Sequence, residues 1–154
     1  MSITAYRITK TKRAATAFDG EGARLYGGRW NSIGTRVVYV AGSRSLATLE
    51  VLVHTEDISI IEGQYCIIEV AIPDELVLRI PPDDLPGRWA SSEPVAGTQA
   101  YGDRWVADFR SAVLEVPSAV IKEESNYLLN PSHPDFESIV IGDPEPFRID
   151  ARLA

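Results

Sequence analysis

The chain has 154 residues, 45% of them hydrophobic and 24% charged, with a formal net charge of −7 and a sequence pI near 4.8. That length suits one domain over residues 1–154 with a real core, and the acidic balance disfavours direct nucleic-acid binding. A single cysteine, Cys66, rules out an internal disulfide, and no apolar run approaches the ~20 residues of a membrane span.

The opening MSITAYRITK lacks the apolar core of a signal peptide, so the expected location is cytoplasmic. Ile3 to Ile8 alternates as a first strand. Residues 10–35, rich in Gly, Ala and Arg, show no period and read as a long irregular segment, a common place for function. Basic residues collect between Ser2 and Arg44: Arg7, Lys10, Lys12, Arg13, Arg24, Arg29, Arg36 and Arg44 stand against Asp19 and Glu21 alone. An anionic small ligand or an acidic partner segment fits this third of the chain best.

Arg36 to Ala41 is β-branched and reads as a strand. Ser43 or Ser45 then caps a helix running to His54. Gln64 to Ile72 and Val77 to Ile80 are further strands, followed by a loop over 81–97. Trp105, Phe109 and Val113 at i, i+4 and i+8 predict a long helix from Gln99 to Leu114, whose exposed face offers a homodimer contact. Ser118 to Ile121 and Ser138 to Ile141 read as strands, with an edge strand within 142–154. Strands outnumber helices in mixed order. The predicted fold is α+β: a compact domain with a mixed or antiparallel twisted sheet and a few helices.

Several residues stand out chemically. Glu50 lies within the stripe Leu46, Leu49 and Val53, with Ala47 and Val51 alongside, so the helix reads as buried nearly all round with a carboxylate pointing inward. Such a group needs partners; at the edge of the stripe it would instead reach solvent. Gly27-Gly28 lets backbone approach a ligand, and Arg29 beside it offers a fork of donors for phosphate or carboxylate. The competing reading is a tight turn with an arginine on carbonyls. Tyr39, mid-strand, is a core aromatic or a ligand contact. Ser118, after Pro117, and Asn130-Pro131 read alone as turn and cap residues. Dinucleotide, P-loop and G-x-S-x-G fingerprints are absent, and two histidines with one cysteine give no zinc spacing.

Taken together, GGRWNSIGTRVVYVAGSRSLATLEVLVH and VPSAVIKEESNYLLNPSHPDF resemble the RES domain family, named for recurring Arg, Glu and Ser residues, from about residue 5 to 150. The resemblance implies an ADP-ribosyltransferase-like fold and the toxin half of a bacterial toxin–antitoxin pair. It also implies an Xre-type helix-turn-helix antitoxin as partner, and NAD as substrate rather than prosthetic group. On this reading Glu50 stabilises the reacting ribose, Arg29 holds the pyrophosphate, Tyr39 packs beside nicotinamide, Ser118 bonds the ribose or a phosphate, and Gly28 admits the ligand to the backbone. The acceptor stays open between water, phosphate and a protein. A non-catalytic module that binds nucleotide or antitoxin is the reading of another class, and a nuclease toxin is disfavoured by the acidic charge.

Overall fold

The computed structural model describes residues 1–54 and 64–153. Eight strands form one sheet: β1 (Ser2–Lys10), β2 (Val38–Ala41), β3 (Tyr65–Pro73), β4 (Val77–Arg79), β5 (Val113–Pro117), β6 (Ser125–Leu129), β7 (Val140–Ile141) and β8 (Glu145–Phe147). Their order is β4-β5-β6-β2-β1-β3-β7, with β8 also on β3, and among the described residues only β4–β5 is parallel. Among the described residues, three α-helices accompany it: α1 (Glu21–Tyr26), α2 (Arg44–His54) and α3 (Ala96–Ala107). The mixed sheet with few helices is the α+β class expected.

The sheet is two half-sheets joined at one narrow seam. β1 runs beside β3 along its whole length, from Ser2 opposite Pro73 to Lys10 opposite Tyr65. β2 pairs β6 fully, from Val38 opposite Leu129 to Ala41 opposite Asn126. Between β1 and β2, however, the described residues pair only at Tyr6 opposite Ala41. Past that pair the strands splay, leaving backbone groups of β2 in need of other partners. Arg7 supplies one: its Nη1 donates to the Tyr39 carbonyl at 3.0 Å.

Alternation sorts the core to both faces of the sheet. Ala5, Val38, Val40, Val70, Ile72, Val113 and Leu129 pack together on one side. Leu114, Val116 and Leu128 pack on the other, against Trp30, Val37 and Trp105. Helix α3 presses so closely on this second cluster that a Cβ on Gly102 would collide with the Trp30 carbonyl.

Several local expectations shift. The irregular segment 10–35 contains a 3-10 helix, Thr11–Thr16, and the short helix α1. The helix expected over Gln99–Leu114 begins at Ala96 and stops at Ala107. Phe109, at φ 50°, turns the chain into the left-handed region, and Val113 starts a strand. The strand expected at Ser118–Ile121 lies earlier, at Val113–Pro117, because Pro117 and the turn after it end the pairing. Its neighbour β6 occupies a segment whose Asn and Pro residues read as a turn. Helix α2 is capped by Ser43, whose Oγ accepts from the Leu46 N–H at 3.0 Å. It is not buried all round: Leu46 and Ala47 are in the core, while Val53 and His54 are exposed.

Candidate functional site

A cleft of about 960 Å³ opens where β1 and β2 part, lined by residues of β1, α1, the 27–30 loop, β2, α2 and the end of β5. Arg7, Arg29, Tyr39, Glu50, His54 and Asn126 all line it.

Glu50 is the most elaborately held group. It sits two turns into α2, and its side chain is 21% exposed. Ser118 Oγ and Asn126 Nδ2 both donate to Glu50 Oε1, each at 2.8 Å. Oε2 lies 3.6 Å from His54 Nε2, one turn further along the helix. Burial pushes the Glu50 pKa up, but the hydrogen bonds from His54, Asn126 and Ser118 outweigh it and hold the group below its ordinary value. The carboxylate is therefore ionised at neutral pH.

Ser118 is fully buried, and its hydroxyl is spent within the protein. While donating to Glu50, Oγ accepts from the backbone N–H groups of Val120 and Ile121 at 3.0 and 3.1 Å. Its place is behind the carboxylate rather than on the cleft wall. Asn126, which the sequence reading left out of the site, is the second clamp. It faces the cleft because β6 places it opposite Ala41 and Val116.

Tyr39 organises the loop rather than presenting its hydroxyl to the cleft. The hydroxyl donates to Asn31 Oδ1 at 2.6 Å and accepts from the Trp30 N–H at 3.0 Å. Burial raises its pKa well above the usual phenol value. Asn31, completely buried, returns its amide to the carbonyls of Ala23 and Thr35 at 2.8 and 3.1 Å, tying α1 to the loop. Gly28 is required by this arrangement: a Cβ there would lie 2.8 Å from Tyr39 Oη and 2.9 Å from Asn31 Oδ1. Its lack of a side chain thus makes room for the Tyr39–Asn31 pair. Arg29 lines the cleft with Nη1 donating to the Trp89 carbonyl at 2.9 Å. That bond anchors the Arg29 fork to the 81–95 segment, none of whose residues lines the cleft.

Arg7 is the second residue the sequence reading passed over as a site candidate. Its Nε is buried and, among the described residues, has no hydrogen-bond partner. Burial lowers its pKa, and the nearby Asp19 charge offsets part of that. A guanidinium desolvated in this way strongly favours a nearby anion. Strand alternation alone conceals it, since an arginine between Tyr6 and Ile8 reads as solvent-facing; the splay of β1 from β2 turns it into the cleft.

The cleft thus carries a clamped, ionised carboxylate, with Arg7 and Arg29 also in its lining. No helix among the described residues is long and apolar enough to cross a membrane. Comparison with known proteins points to one family. A protein named Toxin Res from Photorhabdus laumondii is 40% identical over 96% of this chain and 95% of its own. A Toxin Res from Yersinia enterocolitica is 38% identical over 96% and 97%. A Prs ADP-ribosylating toxin from a Sphingobium species is 37% identical over 90% and 89%. Among solved structures, a chain of the M. tuberculosis MbcT–MbcA toxin–antitoxin complex superposes with a TM-score of 0.78 at 23% identity, over 99% of this chain and 87% of that one, which speaks for a shared fold. The family model described as RES domain matches residues 4–150, and the chain belongs to the RES domain family.

Proposed function

We propose that this protein is the toxin of a toxin–antitoxin pair and that it consumes NAD by breaking the nicotinamide–ribose bond. The observation that carries the chemistry is the Glu50 carboxylate, fixed through Oε1 by Ser118 and Asn126 in a cleft that also holds Arg7 and Arg29. The names of the relatives support the biological role.

Nicotinamide is bound to ribose C1′ as a cation. The C1′–N bond breaks with its electron pair leaving on nicotinamide, so the leaving group is neutral and needs no proton. What the reaction needs is negative charge beside the oxocarbenium-like C1′ and a fixed ribose, which is electrostatic stabilisation of the transition state. Glu50 supplies the charge. Ser118 and Asn126 are positioning residues: neutral donors that hold the carboxylate without neutralising it. Arg7 and Arg29 hold the pyrophosphate. Tyr39 and Gly28 keep the loop that carries Arg29 in shape. An acceptor oxygen then bonds to C1′; water loses its proton to solvent, while phosphate gives ADP-ribose 1″-phosphate.

A protein acceptor is the second reading, favoured by the Sphingobium relative named as an ADP-ribosylating toxin. Incubation with NAD labelled in its adenosine half separates the outcomes: free ADP-ribose, its phosphate, or labelled protein. Unchanged NAD with water alone, with phosphate and with candidate protein acceptors would reject the enzyme and leave a nucleotide- or antitoxin-binding module. We further propose a cytoplasmic protein of one domain, silenced by an Xre-type helix-turn-helix antitoxin. An acidic segment of that partner in the cleft would pair with Arg29. A purified complex that degrades NAD as fast as the free protein would rule this out.

A further inference from the structure

We propose that Tyr26 is the adenine platform of the cleft, stacking on the base at the end of the substrate remote from Glu50; the inference rests on the NAD reading above. Four aromatic side chains line the cleft: Tyr6, Tyr26, Trp30 and Tyr39. Three are already engaged. Trp30 is fully buried and meets Tyr101 edge-on. Tyr39 has its hydroxyl bonded to Asn31 and the Trp30 amide and its ring packed on the second core cluster. Tyr6 carries the Arg44 guanidinium over its ring, 4.7 Å from the centroid. Tyr26 is 79% exposed, an aromatic ring open to solvent on the wall of a cleft.

The backbone beneath that ring is fixed although the ring is free. Tyr26 closes α1, and Gly27, at φ 73°, ends the helix with its N–H on the Ala23 carbonyl at 2.8 Å. Gly28 and Asn31 form an isolated bridge, and the Asn31 amide returns to Ala23. An aromatic held on a rigid base loses little freedom when a ligand stacks on it.

Its position also suits the far end of a dinucleotide. Glu50 is clamped by Asn126, which lies opposite Ala41 on β2. Two residues back along β2, about 7 Å at strand rise, Tyr39 gives its carbonyl to Arg7 and its hydroxyl to the 30–31 loop. Tyr26 ends α1, two residues before Gly28, where a Cβ would meet that hydroxyl; the N-cap of α1, Gly20, packs against Arg36 and Val37, just before β2 at its end away from Ala41. The order carboxylate, arginine, open aromatic follows the order nicotinamide ribose, pyrophosphate, adenine. Stacking on an aromatic face is tolerant of which base is present, so the platform contributes affinity for the AMP half rather than chemistry.

The test uses the full-length protein as wild type, Tyr26→Ala and Tyr26→Phe. Turnover is measured with NAD and with nicotinamide mononucleotide, which lacks the AMP half, and ADP-ribose binding is measured by calorimetry. Tyr26→Ala is expected to raise the KM for NAD and the Kd for ADP-ribose about tenfold. It should leave kcat on NAD and turnover of nicotinamide mononucleotide at wild-type values, and Tyr26→Phe should match wild type throughout. Parallel losses on both substrates, or ADP-ribose affinity indifferent to Tyr26→Ala, would overturn the platform. If the wild type cleaves neither substrate, the NAD-cleavage reading fails, while the calorimetric arm still decides whether Tyr26 holds the nucleotide.

Discussion

Two glutamates, Glu115 on β5 and Glu50 on α2, take partners from adjacent residues of β6, Tyr127 and Asn126, and they are held in different ways. Glu115 on β5 is 10% exposed and is met by the Arg79 guanidinium from the neighbouring β4, with the Tyr127 hydroxyl donating to its other oxygen at 3.4 Å. Glu50 projects into the cleft, where Ser118 and Asn126 hold one oxygen and the imidazole of His54 stands beside the other. A guanidinium pairs with Glu115; at Glu50 a hydroxyl and an amide fix one oxygen, and the other faces His54 at 3.6 Å. On the proposed function, Glu115 serves the fold through a cation that neutralises it, and Glu50 serves the chemistry through donors that fix its direction.

The comparison breaks most sharply at the carboxylates themselves. Glu50→Gln keeps the shape and removes the charge, and it should lower kcat by about 10²–10³-fold, the scale of a lost electrostatic contributor, with the melting temperature near wild type. The clamp comes next. Ser118→Ala or Asn126→Ala removes one charge-assisted hydrogen bond, worth about 1.5–3 kcal/mol, so kcat should fall roughly tenfold or more while ADP-ribose affinity changes little. An equal loss of nucleotide affinity would place these residues on the ligand instead.

The sequence made parts of this arrangement visible and hid others for physical reasons. The β-branched run into β2, the Ser43 cap and the carboxylate on α2 all follow local rules, so that junction was legible. The assignment of Arg29, Tyr39, Glu50, Ser118 and Gly28 to one site came from family resemblance, since residues far apart in the chain leave no local sign of meeting. Geometry then redistributes their tasks: Ser118 stands behind Glu50, and Gly28 makes room for Tyr39. Asn126 was obscured because Asn and Pro in NYLLNPSH signal turns, whereas pairing with β2 and β5 makes 125–129 a strand. The false extension of α3 arose because Trp105, Phe109 and Val113 keep helical spacing across a break that only the left-handed Phe109 reveals.

A smaller effect appears in the pH profile. The Glu50 pKa lies below its model-compound value of 4.5, because its donors favour the charged form. Activity that depends on this carboxylate should therefore persist to lower pH than an unperturbed glutamate would allow, and be lost as pH falls through the depressed pKa. The same depressed pKa contributes stability that is present above the unfolded-state value and disappears as pH falls through the folded one. Asn126→Ala removes a donor to the charged form, so the acid limb of its kcat profile should move upward; an unmoved limb would detach Asn126 from the ionisation of Glu50. The smallest effect belongs to the other glutamate. Arg79 is 74% exposed, so solvent screens its pair with Glu115, and Glu115→Gln should cost about 1 kcal/mol or less in a denaturation experiment.

The contrast between the two glutamates is tested most directly by nicotinamide release from NAD, measured side by side for purified wild type, Glu50→Gln and Glu115→Gln, each checked for folding. Release by wild type and Glu115→Gln at similar rates, with near-silence from a folded Glu50→Gln, is the predicted result. Full activity in Glu50→Gln would contradict the assignment of this carboxylate as the group that stabilises the reacting ribose.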